Sequence, residues 1–351
     1  PEIDGIEKEI SAYCGTKDAV GVSSGTDALL LSLMVLDVGP GDLVMTSNFS
    51  FFATAGVVAR LNATPVFVDI DPQTFNISPE SLSRTLAEMD IQTRKRVKAI
   101  IPVHLYGQCA DMDEILKISR EYNIPVIEDG AQAIGAECII DGEKRSAGSS
   151  GEFGCFSFFP SKNLGGVGDG GIVTVNNYEM ADLLRLKRVH GGERKYYHRV
   201  IGGNFRLDPI QAAVIRVKLP HLNKWHNQRK VNAEYYNKLF EEKDLGGKVQ
   251  LPFVGHSENL QNPHIFNQYV IKAERRDDLQ SFLAENEIAS EVYYPLPFHL
   301  QECFLHLGGK TGDFPVSEAA AKEVLALPVY PGMAKEMQEM VVEQITNFYH
   351  T

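Results

Sequence analysis

Short apolar runs alternate with helical patterns through the first two-thirds of the chain. Thr26 to Leu36 reads as a helix, Asp42 to Thr46 as a strand, and Ser50 to Leu61 as a helix again. Pro65 to Asp69 and Val97 to Pro102 read as strands, Asp111 to Tyr122 as a helix, and Pro125 to Glu128 as another strand. Parallel strands need crossover segments, and those segments cover the sheet. The alternation therefore predicts an α/β fold with a mostly parallel central sheet and helices on both faces. After Asp129 the pattern changes. Cys155 to Phe159 and Ile172 to Val175 are short strands separated by a glycine-rich loop, so part of the sheet is expected to run differently. A long polar helix, about Ile210 to Phe240, leads out of this region and carries the sole tryptophan, Trp225. From Gly246 to Thr351 strand and helix repeat on a smaller scale, with Tyr269-Val270-Ile271, an amphipathic stretch from Arg275 to Asn286, and a closing helix from Ala334 to Phe348. A chain of 351 residues exceeds the size at which one core stops growing. Two domains are expected: residues 1–225 as the large one and 226–351 as a smaller C-terminal α/β domain.

The charge balance excludes one class of partner. A net charge of −12 disfavours a nucleic-acid surface, which needs clustered cations. The run Arg94-Lys95-Arg96 reads as a solvated loop before a strand. No apolar run approaches the roughly 18 residues that span a bilayer, and no basic-then-apolar leader opens the chain. The five cysteines, Cys14, Cys109, Cys138, Cys155 and Cys303, are scattered and never in CxxC spacing. That pattern predicts small buried thiols in a reducing compartment, hence the cytoplasm. The ten histidines form no metal-ligand pattern; His221 and His226, five apart, do not share a helix face. No metal is expected.

Four kinds of residue suit pyridoxal phosphate. That cofactor needs a lysine amine, a carboxylate for its ring nitrogen, a cup of amides and hydroxyls for its phosphate, and a flat side chain against the ring. Lys162 follows an apolar strand and enters the glycine-rich turn Asn163-Leu164-Gly165-Gly166, where its amine can be desolvated; alone it reads equally as a surface lysine. Asp129 ends an expected parallel strand, at the sheet edge where open α/β folds bind ligands, or else caps the segment after it. Ser23-Ser24-Gly25-Thr26 opens a helix and offers free N–H groups to an anion, or plain capping. Ser157 can add a hydroxyl to the same phosphate, and Phe51 can pack on the ring or simply in the core. Gly166, Gly168 and Gly171 satisfy G-x-G-x-x-G, but Ile172 to Val175 is a strand pattern where the dinucleotide fingerprint requires a helix. No G-x-S-x-G elbow is present.

Several ordered blocks resemble one family over essentially the whole chain. Ser23 to Leu29, Ile127 to Gln132, Ser157 to Gly171, Gly203 to Asp208, Ile210 to Ala213, Tyr294-Pro295 with His299-Leu300-Gln301, and Leu325 to Pro328 are similar to the DegT/DnrJ/StrS enzymes. These are pyridoxal-phosphate aminotransferases of fold type I, the aspartate-aminotransferase-like fold, and mostly act on nucleotide-linked sugars. The resemblance implies that Lys162 forms the Schiff base, Asp129 binds the pyridine nitrogen, Gln132 lies near the ring hydroxyl and Phe51 packs on the ring. It implies that Gly25, Thr26 and Ser157 hold the phosphate, and that Asn204 reaches the phosphate of a neighbouring subunit in a homodimer with shared sites. Arg206, from the same loop, is the candidate substrate contact, together with Tyr294. Some relatives carry His-Tyr-Pro where this chain has Tyr293-Tyr294-Pro295, and His299 is put forward as the substitute. Relatives usually carry a further helix and loop ahead of the segment beginning here at Pro1-Glu2, and part of the sugar site is expected from them. The implied reaction moves an amino group, expected from L-glutamate, to a 3-keto or 4-keto nucleotide sugar in amino-sugar and surface-polysaccharide synthesis. Alternatives are a cyclitol or other cyclic ketone as acceptor, and a non-catalytic regulator that retains the fold. A sugar 3-dehydratase on the same scaffold would have histidine in place of Lys162. Arg188, His190, Lys195, Tyr196 and Tyr197 either face the nucleotide sugar or form a solvated loop.

Overall fold

In the computed structural model, which describes residues 1–350 apart from 244, 246 and 256–258, the apolar runs become one twisted sheet. Its strands are β1 (Asp18–Val22), β2 (Leu43–Ser47), β3 (Thr64–Val68), β4 (Val97–Ile101) and β5 (Ile127–Asp129). A hairpin of β6 (Glu137–Ile140) and β7 (Glu143–Ser146) stands apart, and β8 (Phe153–Ser157) and β9 (Gly171–Val175) return to the sheet. Two ladders, β1-β9-β8-β5 and β3-β2-β4, meet through parallel bridges from Ile100 to Val126 and from Val103 to Asp129. The order is therefore β1-β9-β8-β5-β4-β2-β3. Only β9 runs antiparallel to its neighbours, as the change of pattern after Asp129 predicted. β2 and β9 are buried along their whole length, which explains why they read as continuous apolar runs rather than alternating ones.

Crossover helices cover both faces: α1 (Glu2–Cys14), α2 (Gly25–Val35), α3 (Ala53–Arg60), α4 (Pro79–Glu88), the single turn α5 (Ile91–Arg94), α6 (Met112–Tyr122), α7 (Tyr178–Arg188) and α8 (Pro209–Lys218). The sequence writes their starts plainly. Ser24, Ser78, Asp111, Asn177 and Asp208 each cap the following helix by accepting a backbone N–H. α2 buries Ala28 through Leu33 without a polar stripe, because it lies between the sheet and other helices.

One expectation needs correction. The long helix from Ile210 to Phe240 is two helices, α8 and α9 (Leu222–Glu241), joined by a tight turn over Leu219–His221. Pro220 has no N–H to give to the preceding turn and its ring crowds that turn, so the helix cannot run through it. α9 spans the expected boundary at 225/226. Leu222 and Trp225 pack into the cluster containing Phe156, Phe158 and Ile215, whereas Ala233, Tyr236 and Phe240 join a second core with Tyr269, Leu279, Leu325 and Ile345. That second core lies between an antiparallel sheet and its helices. Past the exposed hairpin of β10 (Gly192–Arg194) and β11 (Tyr197–His198), the sheet comprises β12 (Val249–Gln250), β13 (Tyr269–Ala273) and β14 (Val324–Leu327). The helices are α10 (Arg276–Glu285), α11 (Pro315–Glu323) and α12 (Lys335–His350). Gly246 and Thr351, the expected limits of this repeat, lie outside the described residues. Among those described, no helix is long and apolar enough to cross a membrane, and no cluster of side chains suits a metal ion. The five cysteines are free; Cys14, Cys109 and Cys155 are buried as expected, but Cys303 is exposed.

Candidate active site

The carboxyl ends of β5 and β8 and the amino end of α2 meet around a cleft of about 790 Å³. β5 ends at Asp129 and β8 at Ser157, so both side chains emerge at the ligand-binding edge of the sheet. Because β9 comes back antiparallel, the loop 158–170 is a hairpin connection that also emerges there, and it carries Lys162. The third glycine of the G-x-G-x-x-G match, Gly171, starts β9, so a strand follows it and no dinucleotide site forms.

The lysine loop is held from outside. Lys218 Nζ donates to the Gly165 carbonyl at 2.6 Å, and Gln211 Oε1 accepts from Val167 N–H at 2.9 Å. Asn163, next to the lysine, donates to the Ile265 carbonyl at 3.2 Å and accepts from Asn267 Nδ2 at 2.9 Å. Burial pushes the Lys162 proton affinity down, and the facing Asp129 carboxylate only partly opposes this. Asp129 is 5% exposed, and burial pushes its carboxyl above the ordinary carboxylate value. Hydrogen bonds from Thr54 Oγ1 at 2.8 Å and from Ala131 N–H at 3.2 Å, with the charge of Lys162, pull it back. Behind it, Glu128 is fully buried and accepts from His104 Nε2 at 2.8 Å, Gly148 N–H at 2.7 Å, Ser150 N–H at 2.8 Å and Gly151 N–H at 2.7 Å. Burial raises this carboxyl, but the His104 bond and the backbone donors outweigh it and hold the group below its usual value.

Where α2 begins, the backbone is crowded against β8 and β9. A Cβ on Gly25 would lie 2.7 Å from Ser157 Cβ, and one on Gly171 would lie 2.5 Å from the Ser24 carbonyl carbon, so both positions require glycine. Gly25, Thr26 and Ser157 thus share one wall with the free N–H groups of the α2 start, an arrangement suited to a phosphate. Phe51, 58% exposed, faces the cleft with its ring centroid 6.2 Å from that of Tyr294. Gln132 is oriented from behind: its Oε1 accepts from Tyr106 N–H at 2.7 Å, which turns the amide N–H groups toward Tyr294 Oη at 3.3 Å. Burial and the nearby Asp129 carboxylate keep the Tyr294 phenol protonated. Lysine amine, buried carboxylate, anion cradle and aromatic platform in one cleft are the parts pyridoxal phosphate requires, so the residues present fit that group.

Not every expected residue meets there. Gly25, Thr26, Phe51, Asp129, Gln132, Ser157, Lys162 and Tyr294 line the cleft. His299 does not. It is buried, with Nδ1 2.7 Å from Asn48 Nδ2 and Nε2 3.2 Å from Glu318 Oε1, so neither nitrogen is free for a sugar, and His299 is withdrawn as a substrate contact. Asn204 and Arg206 are exposed outside the cleft wall, where Arg206 Nε donates to Asn204 Oδ1 at 2.9 Å. Tyr196 and Tyr197 are likewise exposed, on and beside the β10–β11 hairpin. Sequence reasoning missed Thr54, Asn267 and the His104–Glu128 pair. Thr54 stands in the same Ser50–Thr54 block as Phe51, three residues on, and Glu128 precedes Asp129; their partners are distant in sequence and left no local signal.

The chain is similar to known proteins over almost its whole length. The model of the DegT/DnrJ/EryC1/StrS aminotransferase family matches residues 1–346. A pleiotropic regulatory protein of Geobacillus stearothermophilus is 48% identical over 344 residues, covering 98% of this chain and 88% of that one. The UDP-N-acetyl-3-dehydro-α-D-glucosamine 3-aminotransferase of Acidithiobacillus ferrooxidans is 41% identical over 345 residues, again 98% and 88% of the two chains. The crystal structure of NtdA from Bacillus subtilis with bound cofactor PMP superimposes with a TM-score of 0.89 at 31% identity, over 100% of this chain and 78% of that one.

Proposed function

This chain belongs to the DegT/DnrJ/EryC1/StrS aminotransferase family and works with pyridoxal 5′-phosphate, and on that premise we propose that it transfers an amino group from an amino acid, glutamate first, to the keto carbon of a nucleotide-linked sugar. The observation that carries the reading is the convergence of Lys162 and Asp129 in one cleft beside the α2 start. The sugar follows from relatives: the A. ferrooxidans enzyme is named for a 3-dehydro sugar nucleotide, which favours a 3-keto over a 4-keto acceptor.

When bound, pyridoxal phosphate supplies the reactive carbonyl and an electron-withdrawing ring. In this reading Lys162 holds it through Nζ, Asp129 faces its ring nitrogen, Gln132 donates toward the ring hydroxyl, Phe51 packs on the ring, and Gly25, Thr26 and Ser157 take the phosphate. Once the donor's amine has displaced it, the Lys162 amine removes the proton from the donor's α-carbon and later delivers one to the sugar carbon that gains nitrogen. Its lowered proton affinity suits both roles. Tyr294 is a protonated donor placed to meet the sugar.

Among the described residues, the charged side chains of the cleft wall are Asp129, Lys162 and Asp169, none of them a guanidinium suited to a diphosphate or a donor carboxylate. A second copy of the chain answers this need: Asn204 and Arg206 would reach across into the partner's cleft. Ile210 and Val217, exposed on α8, and Val167, exposed beside it, support such a homodimer. Five free cysteines suit a reducing cytoplasm, and the two cores support a domain boundary within α9. The name of the G. stearothermophilus relative favours a second reading, a regulator on the same fold. One experiment separates them. Glutamate added to the cofactor-loaded protein should convert the cofactor's absorption, and Lys162→Ala should abolish the conversion; unchanged turnover in that variant sinks the assignment.

A further inference from the structure

We propose that Thr54 is the positioning residue of this site: acting through Asp129, it fixes the orientation in which the carboxylate meets the cofactor's ring nitrogen. The inference rests on the role given to Asp129 above. Thr54 lies in the first turn of α3 and is fully buried. Its hydroxyl has one proton and two acceptors in reach, the Phe51 carbonyl at 3.2 Å and Asp129 Oδ2 at 2.8 Å. The shorter bond is charge-assisted and takes the proton. Ser50 Oγ, 3.3 Å from Thr54 Oγ1 and also buried, then donates to the threonine oxygen in turn. Ser50, Thr54 and Asp129 form a directed chain ending on one carboxylate oxygen.

The other oxygen, Oδ1, accepts from Ala131 N–H at 3.2 Å and keeps a lone pair for the cleft. A carboxylate turns easily about its last torsion unless both oxygens are assigned. Thr54 assigns one of them. The same turn of chain carries Phe51, and Thr54 N–H donates to the Phe51 carbonyl at 3.2 Å. The aromatic that packs on the ring and the hydroxyl that aims the carboxylate are therefore set by one piece of backbone.

The test uses full-length protein stripped of cofactor and titrated with pyridoxal phosphate, reading the dissociation constant from the absorbance change. Thr54→Val keeps shape and burial but removes the proton, and should weaken binding by roughly ten- to a hundredfold. Thr54→Ser restores the donor and should bind within about threefold of wild type. In an Asp129→Asn background, Thr54→Val should shift binding by less than about threefold, because the group it acts through is already altered. Wild-type-like binding by Thr54→Val overturns the role. So does a serine variant as weak as the valine one, or an equal loss in both backgrounds. If the wild-type protein itself takes up no pyridoxal phosphate, the reading of the cleft falls and the role of Thr54 falls with it.

Discussion

Replacing Glu128 with glutamine probes how the sheet edge is held behind the site. The carboxylate accepts four hydrogen bonds, two on each oxygen: Ser150 and Gly151 N–H on Oε1, His104 Nε2 and Gly148 N–H on Oε2. A glutamine amide presents N–H groups on one side, so two donors lose their acceptor whichever way it turns. His104 cannot adapt by moving its proton, because its Nδ1 already accepts from Ala110 N–H at 3.1 Å. Each buried donor left facing another donor costs about 1–3 kcal/mol, giving about 2–6 kcal/mol in all. With an unfolding entropy of about 2.1 cal/mol/K per residue over 351 residues, that lowers the melting midpoint by roughly 3–8 °C. The measurement is thermal unfolding of the cofactor-free protein at pH 7, which removes ligand stabilisation from the comparison. Glu143→Gln, exposed on β7, is the control and should melt within about 1 °C of wild type. The sign with pH is also fixed. A carboxyl held below its unfolded value contributes stability above that value and loses it as pH falls through the folded one. The deficit of Glu128→Gln is therefore full at neutral pH and shrinks below about pH 4. A variant melting within about 1 °C of wild type at pH 7 would refute the reasoning.

Gly25→Ala places a methyl 2.7 Å from Ser157 Cβ and 3.2 Å from its Cα, so the α2 start must shift away from the phosphate wall. The expected cost is about 1–3 kcal/mol in stability, read by urea unfolding, with a parallel loss of pyridoxal phosphate affinity. Mixing Lys162→Ala protein with Arg206→Ala protein tests the shared site. Each is expected to be inactive or weak alone, but mixed dimers carry one intact site, so activity should rise toward roughly a quarter of wild type. No recovery on mixing removes the partner contribution.

The fold was legible where pattern alone decides it. The strands from Leu43 to Asp129 and the reversal after it follow from apolar runs and their spacing, whereas β1 (Asp18–Val22) was not read from the sequence, and Ser24 and Asp111 marked helix starts because capping is a local bond. The break at Pro220 was legible too and was read through, because apolar spacing continues across it while the missing N–H interrupts the helix. That Lys162 and Asp129 line one cleft was legible because Asp129 ends a strand and Lys162 follows one at the same sheet edge. His299 misled because the block around it resembles the family's, whereas its environment comes from Asn48, distant in sequence, and from Glu318 across a loop. Thr54 escaped for the same reason: a threonine early in a helix looks like a local capper until the strand that brings Asp129 to it is in place.

The reversed strand restricts where this chain can vary. The lysine's segment leaves β8 at Ser157 and re-enters the sheet opposite it at Gly171, stapled at both stems within the interior of the ladder. An added residue there cannot be absorbed by sliding either strand, since one step of slippage would turn every side chain of a fully buried strand to the wrong face. It would have to swell into the cleft itself. The β6–β7 and β10–β11 tips meet no such constraint, being surface turns free to lengthen. Descendants of this architecture should accordingly remodel the rim that greets the acceptor while the tether of the amine keeps its length.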